Sequence, residues 1–410
     1  MSATMPKPAA GARANDDPRG ADTSLRDGPL TGIRVIDMTT VGMGPMATQM
    51  LGDLGADVIK IEPREGDIFR HVTPQRHTAM SHTFLNLNRN KRSAVIDAKE
   101  PAGKQALLRL LQTADVFVSN VRPQALRRLG LDAQTLLAAN PRLVHCSCFG
   151  YGEGGPYAGR AGIDDTIQAL CGLADLQGGS GEPRFVNSVV ADKILAQYVS
   201  QSIMAALLAR ERSGRGQAVE VPMFETMVAF MSVEHLAGLS FDPPLGGAGY
   251  GRLLNPWRKP FRTQDGFMAV VPYTDAQWRR FFEMAGRAEL ADDPRYRTLT
   301  ERSRRFDELY QLVEQALAQH TNAEWEALLG QADIPFAPVK DLQALLDDEH
   351  LRAVGFWQSV EHPSEGRLRM PGIPMRFSET PATIRRHAPR LGEHTAEVLR
   401  EVGLDTDSTP

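Results

Sequence analysis

The stretch Gly42-Met43-Gly44-Pro45-Met46-Ala47 fits the pattern G-x-G-x-x-A, and an acid, Glu62, follows 20 residues after the first glycine. Glycines at such a turn let the backbone approach a ligand closely, and free N–H groups at a helix start attract phosphate. Three readings are open on these residues alone: an NAD-type dinucleotide site, a site for another nucleotide-like ligand, or a plain tight turn. Pro45 counts against the dinucleotide, because it removes one donor at the helix start. Cys146 and Cys148 stand one residue apart, a spacing that does not suit a zinc knuckle. In a strand both thiols face one way, and we expect buried structural thiols. Asp192 stands at the start of a long helical pattern, where a carboxylate caps a helix.

The turn needs a strand before it and a helix after it. Residues 32–38 (GIRVIDM) read as a buried strand. Pro45 opens a helix, Met46, Ala47, Met50, Leu51 and Leu54 form one apolar stripe, and Gly55 caps it. Residues 56–62 are a second strand, and further strands are expected over 93–97, 115–119, 142–149 and 217–223. Between them lie a helix from Pro101 to Thr113, a short helix capped by Asp132 and a long helix over 192–212. This alternation predicts an α/β chain with a Rossmann-like, mostly parallel sheet of about six strands, with ligands beyond the strand C-termini. After Leu239 the texture changes to Gly, Pro and Arg, followed by a short strand at 267–271 and helices near 275–286, 303–319 and 322–331. A last helix is expected over 394–402. The expected organisation is a disordered tail at 1–28, a large domain at 29–239, a smaller α+β domain at 240–340 and a C-terminal segment at 341–410. The last six residues are expected to be frayed.

Hydrophobic residues make up 42% of the 410 and charged residues 23%, so disorder of the whole chain is excluded. The net charge of −4 argues against a dedicated nucleic-acid binder. No run of about 18 apolar residues predicts a membrane span. The first 28 residues have no apolar core for a signal peptide, and their acids argue against a transit peptide. Three cysteines, an odd number, fit a reducing cytoplasm better than a disulfide framework.

Several blocks resemble one family. GIRVIDMTTVGMGPMATQMLGDLGADVIKIEPREGD at the start of order resembles the class III CoA-transferases, the formyl-CoA transferase and carnitine CoA-transferase family. So do FLNLNRNKRSAVIDAKEPAGKQ, ADVFVSNVRPQALRRLGL, FGYGEGGPYAGRAGIDDTIQALCG, VVADKILAQYVSQSIMAALLARERSGRGQAVEVPMFE and RLGEHTAEVL, in family order from residue 30 to about 400. The resemblance implies a Rossmann-like large domain, a small domain inserted late, and two chains threaded as an interlocked homodimer. It implies coenzyme A, as acyl-CoA substrate, at the glycine turn, with no tightly bound cofactor and no metal. The other substrate would be a small carboxylic acid, with succinate among the first guesses.

By the same resemblance Asp192 is the nucleophile. It would form an aspartyl anhydride and then an aspartyl–CoA thioester. An ordinary Asp carboxyl is ionised at neutral pH. A helix start would lower the pKa of Asp192 and burial would raise it. CoA contacts fall on Val41, Met43, Arg64, Ile96, Lys99, Asn120, Val121 and Arg128. Asp164 matches an acidic position near the acyl site, with a helix N-cap as its bland reading. Gly246 and Gly247 belong to a stretch resembling a mobile glycine loop over the active site. Arg252, Arg258, Lys259 and Arg262 follow it and are candidates for holding a second carboxylate. Two departures stand out: Gly42 replaces a glutamine of formyl-CoA transferase, and Pro63 replaces an arginine, for which Arg64 can substitute. The related α-methylacyl-CoA racemases carry Gly-His-Asp-Ile-Asn where this chain has Gly162-Ile163-Asp164-Asp165-Thr166. The acid/base histidine is missing, which ranks racemase below transferase. An NAD-dependent dehydrogenase remains as the reading of the glycine turn alone, and a silent CoA-ester binder as a fourth.

Overall fold

The computed structural model describes residues 28–404. The expectations for the N-terminal tail and the last six residues fall outside these, apart from Gly28. Six strands form the main sheet: β1 Arg34–Met38, β2 Asp57–Glu62, β3 Lys91–Val95, β4 Val116–Ser119, β5 Val144–Phe149 and β6 Gln217–Pro222. Their order is β3-β2-β1-β4-β5-β6, and every neighbouring pair is parallel. The connections run through α1 Met43–Asp53, α2 His82–Leu87, α3 Pro101–Gln112, α4 Pro123–Leu129, α5 Ala133–Ala139, α6 Asp164–Leu170, α7 Leu173–Gly178 and α8 Val190–Ser213, and α9 Met223–His235 follows β6. The sheet order reverses beside β1, between β1 and β4, which is where ligands of such folds bind.

Strand periodicity builds a core on both faces. Val35, Val116 and Val118 point into one cluster with Leu51 of α1 and Leu195 and Val199 of α8. Their neighbours Ile36 and Phe117 point into the other, with Leu107 and Leu110 of α3. Cys146 and Cys148 share the first face, fully buried, and all three cysteines are free.

Several boundaries differ from expectation by a few residues, and the helix expected near 303–319 divides into Leu299–Ser303 and Phe306–Leu317; two of the differences concern the site. The third strand starts at Lys91 rather than residue 93, because the charges of Lys91 and Arg92 are absorbed by Asp37 and Asp57. Helix α1 starts at Met43, so Pro45 is its third residue. The first helical bond runs from Met46 N to the Gly42 carbonyl, so proline costs the helix no hydrogen bond of its own.

A separate apolar core gathers Trp278, Phe281, Leu309, Val313, Trp325 and Leu329 against a small antiparallel sheet. Its strands are β7 Phe261–Arg262, β8 Phe267–Val270 and β9 Phe336–Pro338. A hairpin follows, β10 Trp357–His362 with β11 Gly366–Pro371. The final helix, Thr395–Glu401, then returns to the main sheet, where Val398 and Leu399 join the core of Ile59 and Phe117 and Glu397 and Glu401 bind Arg92. Among the described residues no helix is long and apolar enough to cross a membrane.

Candidate active site

The β1–α1 turn and the start of α8 meet at the C-terminal edge of the sheet. A Cβ on Gly42 would collide with Asp192 Oδ2 and lie 3.0 Å from Asp192 Cγ. Gly44 has its own reason to be glycine: a Cβ there would collide with Thr39, which lets α1 pack closely on β1. Asp192 is not the helix cap. Val189 is the N-cap and Asp192 is the third residue of α8, only 8% exposed. Two helix N-termini favour its carboxylate, yet burial prevails. Burial first, then the negative charges of Asp164 and Asp165, push its pKa up to about 7. The ordinary ionisation expected of an aspartate therefore does not hold here: near neutrality this group is about half protonated.

Asp164 is likewise not an N-cap but the first residue of α6, after Ile163. Its Oδ2 accepts the Asp192 backbone N–H at 3.0 Å, and its Oδ1 accepts from Gln168 Nε2. Gln168 Oε1 in turn accepts the Val186 N–H at 2.9 Å. Asp164 and Gln168 thus tie the approach to α8 onto α6 and fix Asp192. The second of these was not singled out from sequence.

The remaining expected residues sort by depth. Asn120 faces the turn: its Oδ1 accepts Thr40 N–H at 3.1 Å and its Nδ2 donates to Thr40 O at 2.8 Å. Both ends of this amide are therefore committed to bracing the turn. Val41, Met43, Asn120 and Val121 gather at the ends of β1 and β4. Ile96 is buried in the core behind β3, which leaves its backbone as the part a ligand can meet. Arg64, Lys99 and Arg128 are exposed around the sheet edge. A cleft of about 90 Å³ lies beside the turn, with Met43, Asn120, Arg122, Cys148, Tyr151 and Arg160 among its walls. Burial raises the Cys148 thiol well above its ordinary pKa, so it is a wall and not a nucleophile.

Gly246 and Gly247 are exposed and joined by hydrogen bonds from Gly238 N–H to Gly247 O and from Leu245 N–H to Gly238 O. Among the described residues no hydrogen bond links this loop to Asp192. The basic residues after it are engaged elsewhere: Arg252 with Tyr310, Lys259 with Glu314, and Arg262 over Phe267. Among the described residues no group of three or more His, Cys, Asp or Glu is arranged to hold a metal.

The dinucleotide reading fails on this geometry. The space in front of Gly42 that a pyrophosphate would need is filled by the Asp192 carboxylate. Glu62, the acid required for ribose, is sealed in a pair with Arg70 at 2.7 Å and accepts from Ser93. A family model described as CoA-transferase family III matches residues 30–395. The chain belongs to this family. A succinate–glutarate CoA-transferase of Agrobacterium fabrum is 33% identical over 401 residues, covering 95% of this chain and 100% of that one. A formyl-CoA:oxalate CoA-transferase of Afipia carboxidovorans is 32% identical, covering 91% and 93%. The crystal structure of a CAIB/BAIF family protein from Brucella suis superposes with a TM-score of 0.77 at 30% identity, over 92% of this chain and 100% of that one. The family assignment makes this chain an enzyme that transfers CoA, with acyl-CoA as substrate, and sets aside the dehydrogenase.

Proposed function

We propose that the enzyme moves CoA from an acyl-CoA to a free carboxylic acid through covalent intermediates on Asp192. The observation that carries this reading is the placement of Asp192. It is a buried carboxylate at the glycine turn, beside a cleft, with no cation paired to it among the described residues. Its raised pKa makes the ionised form a better nucleophile than an ordinary carboxylate.

In the first step an Asp192 oxygen attacks the thioester carbon, the C–S bond breaks, and CoA leaves as thiolate. The thiolate then attacks Asp192 Cγ, the anhydride C–O bond breaks, and the donor acid departs as carboxylate. The acceptor carboxylate next attacks the aspartyl thioester and expels CoA thiolate. That thiolate attacks the acceptor's acyl carbon and frees Asp192. No net proton is consumed. Val41 and Met43 line the turn along which the pantetheine arm runs, with Val121 and the Ile96 backbone at neighbouring strand ends. Arg64, Lys99 and Arg128 meet the phosphates. Gly246 and Gly247 serve as a cover excluding water from the anhydride.

Small dicarboxylates are the proposed acids. Arg122 and Arg160 stand in the cleft walls, Arg160 over the Tyr157 ring, and neither has an ion-pair partner among the described residues. The Agrobacterium relative is named for succinate and glutarate. A screen of acyl-CoA donors against mono- and dicarboxylic acceptors, read by mass spectrometry, should show transfer to C4–C5 diacids above monoacids. Equal use of monoacids would contradict the diacid part.

We further propose a homodimer in the reducing cytoplasm. The end of α9 and the segment after it expose Phe230, Val233, Leu236, Leu239, Phe241 and Leu245, an apolar face that water does not favour. The scattering mass in solution should be twice the 45.0 kDa chain.

A further inference from the structure

Beneath the glycine turn, Asp37, Lys60, Asp67 and Lys91 are sealed from water with 0% exposure. None of them is among the cleft-lining or covalent-site residues above. Asp37 Oδ2 accepts from Lys91 Nζ at 3.0 Å and from Thr48, and its Oδ1 accepts the Thr39 N–H. Lys91 also donates to Pro45 O at 2.9 Å, inside the first turn of α1. Lys60 Nζ donates to Thr39 O at 2.7 Å and to Asp67 Oδ2 at 2.9 Å. Asp67 Oδ1 then accepts the backbone N–H of Val41 at 3.1 Å.

Val41 is the residue this arrangement acts on. Its φ is 72°, the left-handed region, where a β-branched side chain is a genuine outlier. Strain of this kind persists only where the surroundings over-determine it. The next residue, Gly42, is the one that touches Asp192. A continuous path therefore runs from Lys60 through Asp67 and Val41 to the reacting carboxylate. Two buried ion pairs are a poor way to gain stability, since apolar residues of similar volume serve as well. Their other established use is to specify one conformation.

We propose that Lys60 and Asp67 are positioning residues that clamp Val41 in its left-handed conformation and so hold the turn against Asp192. This rests on Asp192 being the nucleophile. The comparison is between Asp67→Asn and Asp67→Ala. Both remove the charge facing Lys60, but only alanine also removes the acceptor for Val41 N–H. At saturating acyl-CoA, Asp67→Ala should lose at least 100-fold in kcat and in the rate of hydroxylamine-dependent inactivation. Asp67→Asn should keep at least a tenth of wild-type rate. Adding Val41→Gly to Asp67→Ala should recover at least tenfold, because glycine adopts positive φ without a clamp.

Equal losses in the Asn and Ala variants, or no rescue by glycine, would overturn the proposal in favour of a purely structural role. If Asp67→Ala does not melt cooperatively, the double variant Lys60→Met with Asp67→Ala replaces it, because it removes the Val41 acceptor without leaving a buried charge unpaired, with the same loss expected and a loss under twofold overturning the clamp. A crystal structure of the folded variant bears on the clamp alone: Val41 still left-handed would contradict it. Wild-type enzyme that hydroxylamine does not inactivate would instead contradict the Asp192 reading.

Discussion

The Cα of Gly42 stands so close to the Asp192 carboxylate that a methyl group has no room between them. An added Cβ must push the carboxylate round or shift the turn, because its Cβ and Cγ are also within 3.3 Å and 3.0 Å. Gly42→Ala should therefore leave the melting temperature nearly unchanged and lower kcat at least tenfold. A kcat within twofold of wild type would show that Asp192 moves freely.

The Asp192 carboxyl is raised from 3.8 to about 7. Only the ionised form attacks a thioester, so the rate of hydroxylamine-dependent inactivation should rise with pH and level off above a midpoint near 7. The stability consequence has the opposite sense. The folded protein favours the protonated carboxyl, so that stabilisation is present below about pH 4 and lost as pH rises to about 7. Asp192→Asn should be more stable than wild type at pH 8, by about 4 kcal/mol given roughly 1.4 kcal/mol per pKa unit over a shift of about three units. At pH 4 the two should melt alike. Denaturant titration at both pH values checks this.

Lys99 and Arg128 are exposed, and screened charges of this kind contribute little each. Lys99→Ala or Arg128→Ala should raise KM for acyl-CoA about fivefold at low salt, with kcat unchanged and the difference fading at high salt. A fall in kcat instead would place them in the reaction.

The Glu62–Arg70 pair joins distant parts of the chain. Arg70 also donates to Pro389 O and stacks over Phe84 at 3.6 Å. Burial alone would raise the Glu62 carboxyl, but Arg70 and Lys60 hold it below its ordinary range. That stability is present at neutral pH and lost as pH falls through the lowered value. Arg70→Met leaves Glu62 buried and unpaired, and should cost about 3 kcal/mol or more at pH 7. Chemical denaturation measures it.

Much of this was legible in sequence because the main sheet follows strong period rules. GIRVIDM and ADVIKIE announce β1 and β2, Asp132 caps α5 as its position suggests, and the helix at 322–331 falls where its pattern predicts. Charged strand residues were harder. Asp37, Lys60 and Lys91 look like polar interruptions, yet the parallel sheet is buried on both faces, so each needs an internal partner. A charge inside an apolar strand was the available signal. Gln168 gave none, since its value comes from Val186 and Asp164, which only the fold brings near. The third strand begins two residues earlier than its apolar run SAVID suggests, because Lys91 and Arg92 find buried partners only in the fold.

The central claim is that Asp192 carries the covalent intermediates. Incubation with an acyl-CoA and hydroxylamine, followed by peptide mass spectrometry, tests it most directly. The account predicts one modified peptide, containing Asp192 as its hydroxamate, together with loss of transferase activity. Modification at another residue, or full activity retained by Asp192→Ala, would contradict it.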